Sequence, residues 1–181
     1  MRQCLWFKGP LNRRVTRFAV TEILGMKNPI RFLLYVPVPW VFVLTYLLGV
    51  VLEHVHHGTI SPTAALISKT AGTVLFAVGA VVAGWGLVLF RKAKTTTVPG
   101  KLSGKLVTWG PYRFTRNPMY VGLVLAYLGE AGLLKQIWPV VLLPFTVAYI
   151  NWTVIPVEEA KLEEAFPDEY KQYRLQVRRW F

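Results

Sequence analysis

Residues 119–157 read MYVGLVLAYLGEAGLLKQIWPVVLLPFTVAYINWTVIPV, and this stretch decides the fold class of the chain. Only two of its residues carry a charge. A helix needs roughly 20 apolar residues to cross the hydrocarbon core of a bilayer. The stretch therefore predicts two membrane spans, a short one at 119–134 and a longer one at 138–157. The three residues 135–137 between them predict a tight antiparallel hairpin.

Two further apolar stretches lie upstream of this hairpin, at residues 32–52 and 66–90. Of the 181 residues, 54% are apolar, and the mean hydropathy is +0.40, which is more apolar than a soluble domain of this size. We therefore predict an all-α fold, a polytopic transmembrane helix bundle of about four spans. Glycines in the second span would let a neighbouring helix approach closely. They are Gly72, Gly79, Gly84 and Gly86.

Lysine and arginine are distributed unevenly among the connections between these spans. Residues 1–31 contain seven, residues 91–117 contain seven and residues 158–181 contain five, whereas residues 53–65 contain none. In membrane proteins, short cytoplasmic connections carry an excess of these two residue types. Both termini and the 91–117 connection are therefore predicted to be cytoplasmic, and the histidine-containing 53–65 connection is predicted to lie on the opposite side.

The chain divides into a basic cytoplasmic arm, residues 1–31, and a membrane domain, residues 32–181. The arm has no short apolar core followed by a cleavage site, so we expect it to be retained and to lie on anionic membrane lipids. The net charge of +12 is interrupted by long apolar runs, and it does not predict a nucleic-acid partner. The group His54, His56 and His57 has no fourth ligand nearby, so no metal site is predicted.

A dense run of polar residues precedes the third span, with the sequence GPYRFTRNPMYVG at residues 110–122. Its first two residues predict a turn, and Pro118 is suited to the first turn of a helix. Arg113 and Arg116 are three residues apart, so they share a face if the run is helical and can then clamp a carboxylate or phosphate. Alternatively, both arginines anchor the chain at lipid headgroups.

Two adjacent carboxylates, Glu158 and Glu159, follow the fourth span directly and oppose the basic bias of this face. They begin a predicted C-terminal amphipathic helical tail, residues 158–181. On a helix, Glu159 aligns with Glu163, which makes Glu158 the better candidate to face inward. The alternative is that both carboxylates belong to a solvated acidic face of the tail.

Taken together, these motifs carry a resemblance to a known family. WGPYRFTRNPMYVG at residues 109–122, EEAKLEEAFPDEYKQY at residues 158–173 and the final RRWF resemble the membrane-bound isoprenylcysteine carboxyl methyltransferases. The same regions are also similar to phospholipid N-methyltransferases. The first family has histidine where this chain has Asn117, whose amide cannot titrate near neutral pH. This departure leaves the identity of the methyl acceptor open.

The resemblance implies a methyltransferase that uses S-adenosylmethionine, with a site that opens to the cytoplasm. It implies cofactor contacts from the loop before the third span and from the tail, at Gly110, Pro111, Tyr112, Arg116, Asn117, Pro118, Tyr120, Glu158, Glu159 and Tyr170. It places Arg113, Arg116 and Asn117 at the reacting groups.

The implied methyl acceptor is lipophilic, because a soluble substrate does not require an enzyme embedded in the membrane. A prenylcysteine-like carboxylate is favoured, and a phospholipid amine is the main alternative. Two functions of other classes remain as alternatives, an NADPH-dependent sterol-type membrane reductase and a non-catalytic membrane scaffold. The paired glutamates argue against the reductase, and the clustered motifs of the inner face argue against the scaffold.

Overall fold

The computed structural model describes residues 37–56, 61–92 and 106–180. These residues form helices of three types, with no strand among them. The α-helices are α1 (Val38–Val55), α2 (Pro62–Lys92), α3 (Pro118–Leu134), α4 (Trp138–Tyr149), α5 (Ile155–Ala165) and α6 (Pro167–Gln176). A short 3-10 helix (Gly110–Arg113) precedes α3, and a π-helical turn (Ile150–Val154) joins α4 to α5. The predicted all-α class is confirmed.

Three helical stretches are long and apolar enough to cross a membrane, namely Val38–Val55, Pro62–Leu89 and Trp138–Ala165. Helix α3 is apolar but shorter, so the prediction of about four spans is confirmed. Lys135, in the left-handed conformation with φ 58°, ends α3, and α4 begins three residues later. The predicted short connection between these helices is therefore present. The basic arm and His57 lie outside the described residues.

The fourth span extends further than the sequence predicted. Its helix continues from Trp138 through the π-helical turn to Ala165, past the predicted end at residue 157. Glu158 and Glu159 therefore lie within the last turns of a long helix and not at its exit.

The predicted amphipathic tail, residues 158–181, is helical only in part. The helix breaks at Phe166 between α5 and α6, because Pro167 disfavours the α conformation of the residue before it. After α6, Val177 is extended, with φ −120° and ψ 131°. The segment from Val177 to Trp180 then runs back to the N-terminal end of α3.

Helices α2 and α3 pack with their backbones in direct contact. A Cβ on Gly72 would lie 2.6 Å from the α3 backbone, and one on Gly122 would lie 2.5 Å from the α2 backbone. Gly79 and Gly129 are blocked by the opposite helix in the same way. Small residues permit such contact between membrane helices. The predicted close approach is confirmed at Gly72 and Gly79 and is wrong at Gly84, which has nothing within 4 Å.

Helix α1 packs on α4 and completes the core beside α3. A Cβ on Gly49 would lie 2.7 Å from the Pro139 nitrogen. The rings of Phe42 and Tyr46 meet the Tyr127 ring edge to face, with centroids 6.1 and 4.9 Å apart. Because α5 continues α4 through the π-helical turn, this core also fixes the position of the paired glutamates relative to α3.

Candidate active site

Four segments converge at one end of the bundle: the 3-10 helix, the start of α3, α5 and the residues after α6. Gly110 begins the 3-10 helix with φ 65°, a conformation that favours glycine, and a Cβ there would meet the Leu89 side chain of α2 at 2.5 Å. The Tyr173 hydroxyl of α6 donates a 2.7 Å hydrogen bond to the Tyr112 carbonyl. These contacts hold the loop that carries the predicted motif between α2 and α6.

Glu158 contributes a second carboxylate to this site. The Tyr120 hydroxyl, in the first turn of α3, donates a 2.6 Å hydrogen bond to Glu158 Oε1, and Glu158 remains exposed to solvent. Burial, followed by the nearby charge of Glu158, raises the pKa of the Tyr112 hydroxyl to about 12. Tyr112 is therefore a protonated hydrogen-bond donor at neutral pH.

Glu159 lies deeper, between two arginines. Its side chain is 13% exposed, and its Oε1 lies 3.1 Å from Arg116 Nη2. Arg179 contacts both carboxylate oxygens, at 2.7 Å from Nη2 to Oε2 and 3.1 Å from Nε to Oε1. A buried carboxylate requires such pairing, because its charge has lost most of its contact with water. We refer to these residues as the Arg116–Glu159–Arg179 triad.

Arg179 also connects three other parts of the site. Its carbonyl accepts hydrogen bonds from Thr115 Oγ1 at 2.9 Å and from Asn117 Nδ2 at 3.0 Å. Its Nη1 donates to the backbone carbonyl and to the side-chain oxygen of Asn151, both at 3.3 Å. Trp180 Nε1 donates to the same side-chain oxygen at 3.0 Å. The segment after α6 is thereby bonded to the start of α3, the π-helical turn and α5.

Arg116 retains donors that the protein does not use. Its side chain is 12% exposed, and its Nε and Nη1 are shielded from solvent without a hydrogen-bond partner in the part of the chain that the structure describes. A buried donor without an acceptor costs about 1–3 kcal/mol, and more when the group is charged. An anionic group of a ligand would satisfy one of these nitrogens, which lie on different edges of the planar guanidinium. The arrangement therefore favours binding of an anion at Arg116.

The two arginines of the predicted clamp lie apart. The 3-10 helix ends at Arg113, and regular helix resumes only at Pro118, so Arg113 and Arg116 do not share a helical face. Arg113 is exposed, whereas Arg116 is buried in the triad. The predicted shared clamp is wrong, because the continuous helix on which it depended does not form.

The paired glutamates both contact protein. Helical phase favoured Glu158 as the inward-facing residue, yet Glu159 is the less exposed of the two. Glu158 meets α3 through Tyr120, and Glu159 meets the segment that returns after α6. The periodicity of a single helix does not predict this second contact.

Among the other predicted site residues, Pro111, Tyr112, Pro118, Tyr120 and Tyr170 are buried, and Gly110 and Asn117 are partly buried.

Sequence reasoning did not single out Arg179, Asn151 or Thr115 as site residues. Arg179 belongs to the final RRWF, which entered the resemblance without an assigned role. Asn151 is a lone amide in the long apolar run of the fourth span, and this was a signal that a buried polar contact exists there. Thr115 carried no signal, because its partner is a backbone carbonyl.

The geometry suits a ligand that carries charges of both signs. Arg116 offers two buried N–H groups to an anion, and Glu158 offers a carboxylate to a cation or to hydroxyl groups. The rings of Tyr112 and Tyr120, each 8% exposed, can contact an apolar or aromatic ring, whereas Tyr170 is 1% exposed and has no ring surface free. Among the described residues, no group of three His, Cys, Asp or Glu side chains is placed to hold a metal ion.

Known proteins match a part of the chain that includes most of these segments. Residues 67–169 match the family model described as phospholipid methyltransferase. The cobalt-zinc-cadmium resistance protein CzcN of Cupriavidus metallidurans is 33% identical over 76 residues, which are 42% of this chain and 35% of that protein. The matched part thus spans about a third of the length of this curated relative. No solved structure matches the chain.

Proposed function

Because the chain belongs to the phospholipid methyltransferase family, we propose that it is an integral membrane enzyme that transfers a methyl group from S-adenosylmethionine to a lipophilic acceptor. The observation that carries the choice of cofactor is the pair of buried, unpartnered nitrogens on Arg116 in a site that also contains the carboxylate of Glu158. S-adenosylmethionine offers a carboxylate to the first group, and an ammonium and a ribose diol to the second.

The described residues fit this cofactor in chemical type. Arg116 would hold its carboxylate, since a guanidinium binds carboxylates through two parallel hydrogen bonds. Glu158 would accept hydrogen bonds from its ammonium or its diol, with the Tyr120 hydroxyl fixing the Glu158 carboxylate. The rings of Tyr112 and Tyr120 supply aromatic surface on which an adenine can pack.

The cofactor, when bound, supplies a methyl group that its sulfonium has already activated. The residues of this chain therefore have to align the reactants and exclude water from them. Asn117 contributes by tying the loop to the Arg179 carbonyl. Arg113 is exposed and has no ion pair among the described residues, so it can meet an anionic group of the acceptor.

The first candidate acceptor is a prenylcysteine-like carboxylate, which the 109–122 motif favours and whose charge suits Arg113. Methylation of a carboxylate needs no general base. The second candidate is a phospholipid amine, favoured by the family match and by the Glu158 carboxylate. An amine must lose its proton before it can attack, and a nearby carboxylate assists that loss.

We further propose that the site opens to the cytoplasm. Support comes from the uneven distribution of lysine and arginine, because the connection before α3 is rich in these residues and the 53–65 connection has none. Arg91 and Lys92, in the last turn of α2, belong to the same basic connection as the site loop.

The proposal is tested by ligand binding to the full chain purified in detergent. We expect saturable binding of S-adenosylhomocysteine in isothermal titration calorimetry. The reductase alternative predicts binding of NADPH instead, and the scaffold alternative predicts binding of neither ligand. Folded protein that does not bind S-adenosylhomocysteine would refute the proposed function.

A methyl-transfer assay then separates the acceptors. The protein is incubated with radiolabelled S-adenosylmethionine and either farnesylcysteine or phosphatidylethanolamine in mixed micelles. A carboxylate acceptor yields a base-labile methyl ester, whereas an amine yields a base-stable product and a rate that rises with pH through the ammonium pKa of the acceptor. Label in neither lipid would refute both acceptor classes.

A further inference from the structure

We propose that Arg179 is a positioning residue that keeps Arg116 available to the carboxylate of the cofactor. It does so by engaging Glu159, the carboxylate that would otherwise occupy the same donors. This inference rests on the proposed function, because it concerns the way in which the cofactor is held.

The sharing of Glu159 between the two arginines is unequal. Arg179 makes two contacts with the carboxylate, at 2.7 and 3.1 Å, whereas Arg116 makes one at 3.1 Å. A guanidinium and a carboxylate usually pair through two parallel hydrogen bonds when nothing else competes. In this triad only Arg179 has taken that geometry.

The single contact through Nη2 leaves the other N–H donors of the Arg116 guanidinium without a partner. Its Nε and Nη1 are shielded from solvent and have no hydrogen-bond partner among residues 37–56, 61–92 and 106–180. A carboxylate that binds there makes charge-assisted hydrogen bonds away from bulk water, where such bonds are strongest. The contact with Glu159 orients Arg116 without consuming its donors.

The surroundings of Arg179 hold it in this role. Its Nη1 donates to the side chain and carbonyl of Asn151 in the π-helical turn, and its own carbonyl is bound by Thr115 and Asn117. Removal of the Arg179 guanidinium leaves Glu159 Oε2 without this partner. Glu159 can then turn to form the two-contact pair with Arg116, which occupies Nη2 and one of the two unpartnered nitrogens and so removes a donor that the cofactor carboxylate needs.

The experiment compares two ligands on Arg179→Gln and Arg179→Lys. S-adenosylhomocysteine carries the amino-acid carboxylate, whereas 5′-methylthioadenosine has the same nucleoside and sulfur without it. By calorimetry, we expect Arg179→Gln to bind S-adenosylhomocysteine about tenfold or more weakly, the worth of one charge-assisted hydrogen bond. Binding of 5′-methylthioadenosine should change by less than about twofold. Arg179→Lys, which cannot form the two-contact pair, should weaken S-adenosylhomocysteine in the same selective way.

Arg178→Gln is the matched control, because it removes the same charge from the adjacent exposed side chain and leaves its backbone bond to Arg116 intact. It should bind both ligands as the wild type does. Adding Glu159→Gln to Arg179→Gln removes the competing carboxylate and should restore part of the lost S-adenosylhomocysteine affinity. A purely structural role for Arg179 predicts no such restoration.

The outcomes separate this inference from the proposed function. Wild-type protein that binds neither ligand refutes the function itself. Wild-type binding that is unchanged in both Arg179 variants, or that falls equally for the two ligands, overturns the role of Arg179 and leaves the function standing. If Arg179→Gln does not fold, the ratio of the two affinities in Arg179→Lys decides the question.

Discussion

Gly129 of α3 lies so close to Phe76 of α2 that a Cβ on Gly129 would overlap the Phe76 backbone. Gly122 makes the equivalent contact against Ala83, seven residues earlier in α3. Because the opposing atoms belong to the main chain, no rotation of a side chain can make room. The α2–α3 pair therefore depends on the absence of side chains along this seam.

Gly129→Ala should destabilise the bundle, because α2 and α3 must move apart to accept the methyl group. We expect a loss of about 1–3 kcal/mol in the free energy of unfolding, the usual cost of overpacking. Thermal unfolding in detergent, followed by circular dichroism, measures the change. Gly84→Ala is the control, since a Cβ there meets nothing within 4 Å and should leave the midpoint almost unchanged. Equal unfolding midpoints for the two variants would contradict the claim that α2 and α3 leave no room for a side chain at Gly129.

Glu158→Ala should weaken cofactor binding while the chain stays folded, because the residue is exposed and lies outside the buried triad. The choice of ligand reveals its role. If Glu158 holds the ribose diol, affinities for S-adenosylhomocysteine and 5′-methylthioadenosine both fall by about tenfold. If it holds the ammonium, only the first falls. Calorimetry that finds both affinities intact would remove Glu158 from the site.

Arg113→Lys should affect the acceptor and spare the cofactor, because Arg113 is exposed and lies outside the triad. Lysine keeps the charge but cannot bind a carboxylate or phosphate through two parallel hydrogen bonds. We expect the Michaelis constant for the lipid acceptor to rise about tenfold, with the affinity for S-adenosylhomocysteine unchanged. Wild-type kinetics in this variant would show that Arg113 serves only as an anchor to lipid headgroups.

The orientation of the chain can be read from single cysteines placed on a Cys4→Ser background. A cysteine at Arg178, or in the loop before α3, should react with a membrane-impermeant thiol reagent only after the cytoplasmic face is opened. A cysteine at His56, after α1, should react in intact cells. The reverse pattern would place the site on the outer face and refute the proposed topology.

Hydropathy alone was sufficient to predict the spans, because each apolar run is long and the polar connections are distinct. The break between α5 and α6 also had a local signal in Pro167, although the predicted tail passed through it. The triad had no such signal. Arg179 reaches Glu159 only because the chain breaks at Phe166 and becomes extended at Val177, and the extended conformation of Val177 has no local signal in the sequence.

The clamp between Arg113 and Arg116 failed for a related reason. Spacing along the sequence predicts a shared face only when the backbone is regular helix, and here the segment from Thr115 to Asn117 is bound instead to the returning segment. Local patterns therefore identified the loop before α3 as a candidate, whereas the pairing of its charges was decided by tertiary contacts.

The two sides of the site differ in mechanical character as a result of the glycine seam. The α3 side is joined to α2 through main-chain contact, which ionic strength cannot loosen. The side formed by Val177 to Trp180 is held by hydrogen bonds and ion pairs, most of which involve side chains that can rotate. Opening and closing around a ligand is therefore least costly at this compliant side, while the α2–α3 side keeps its shape.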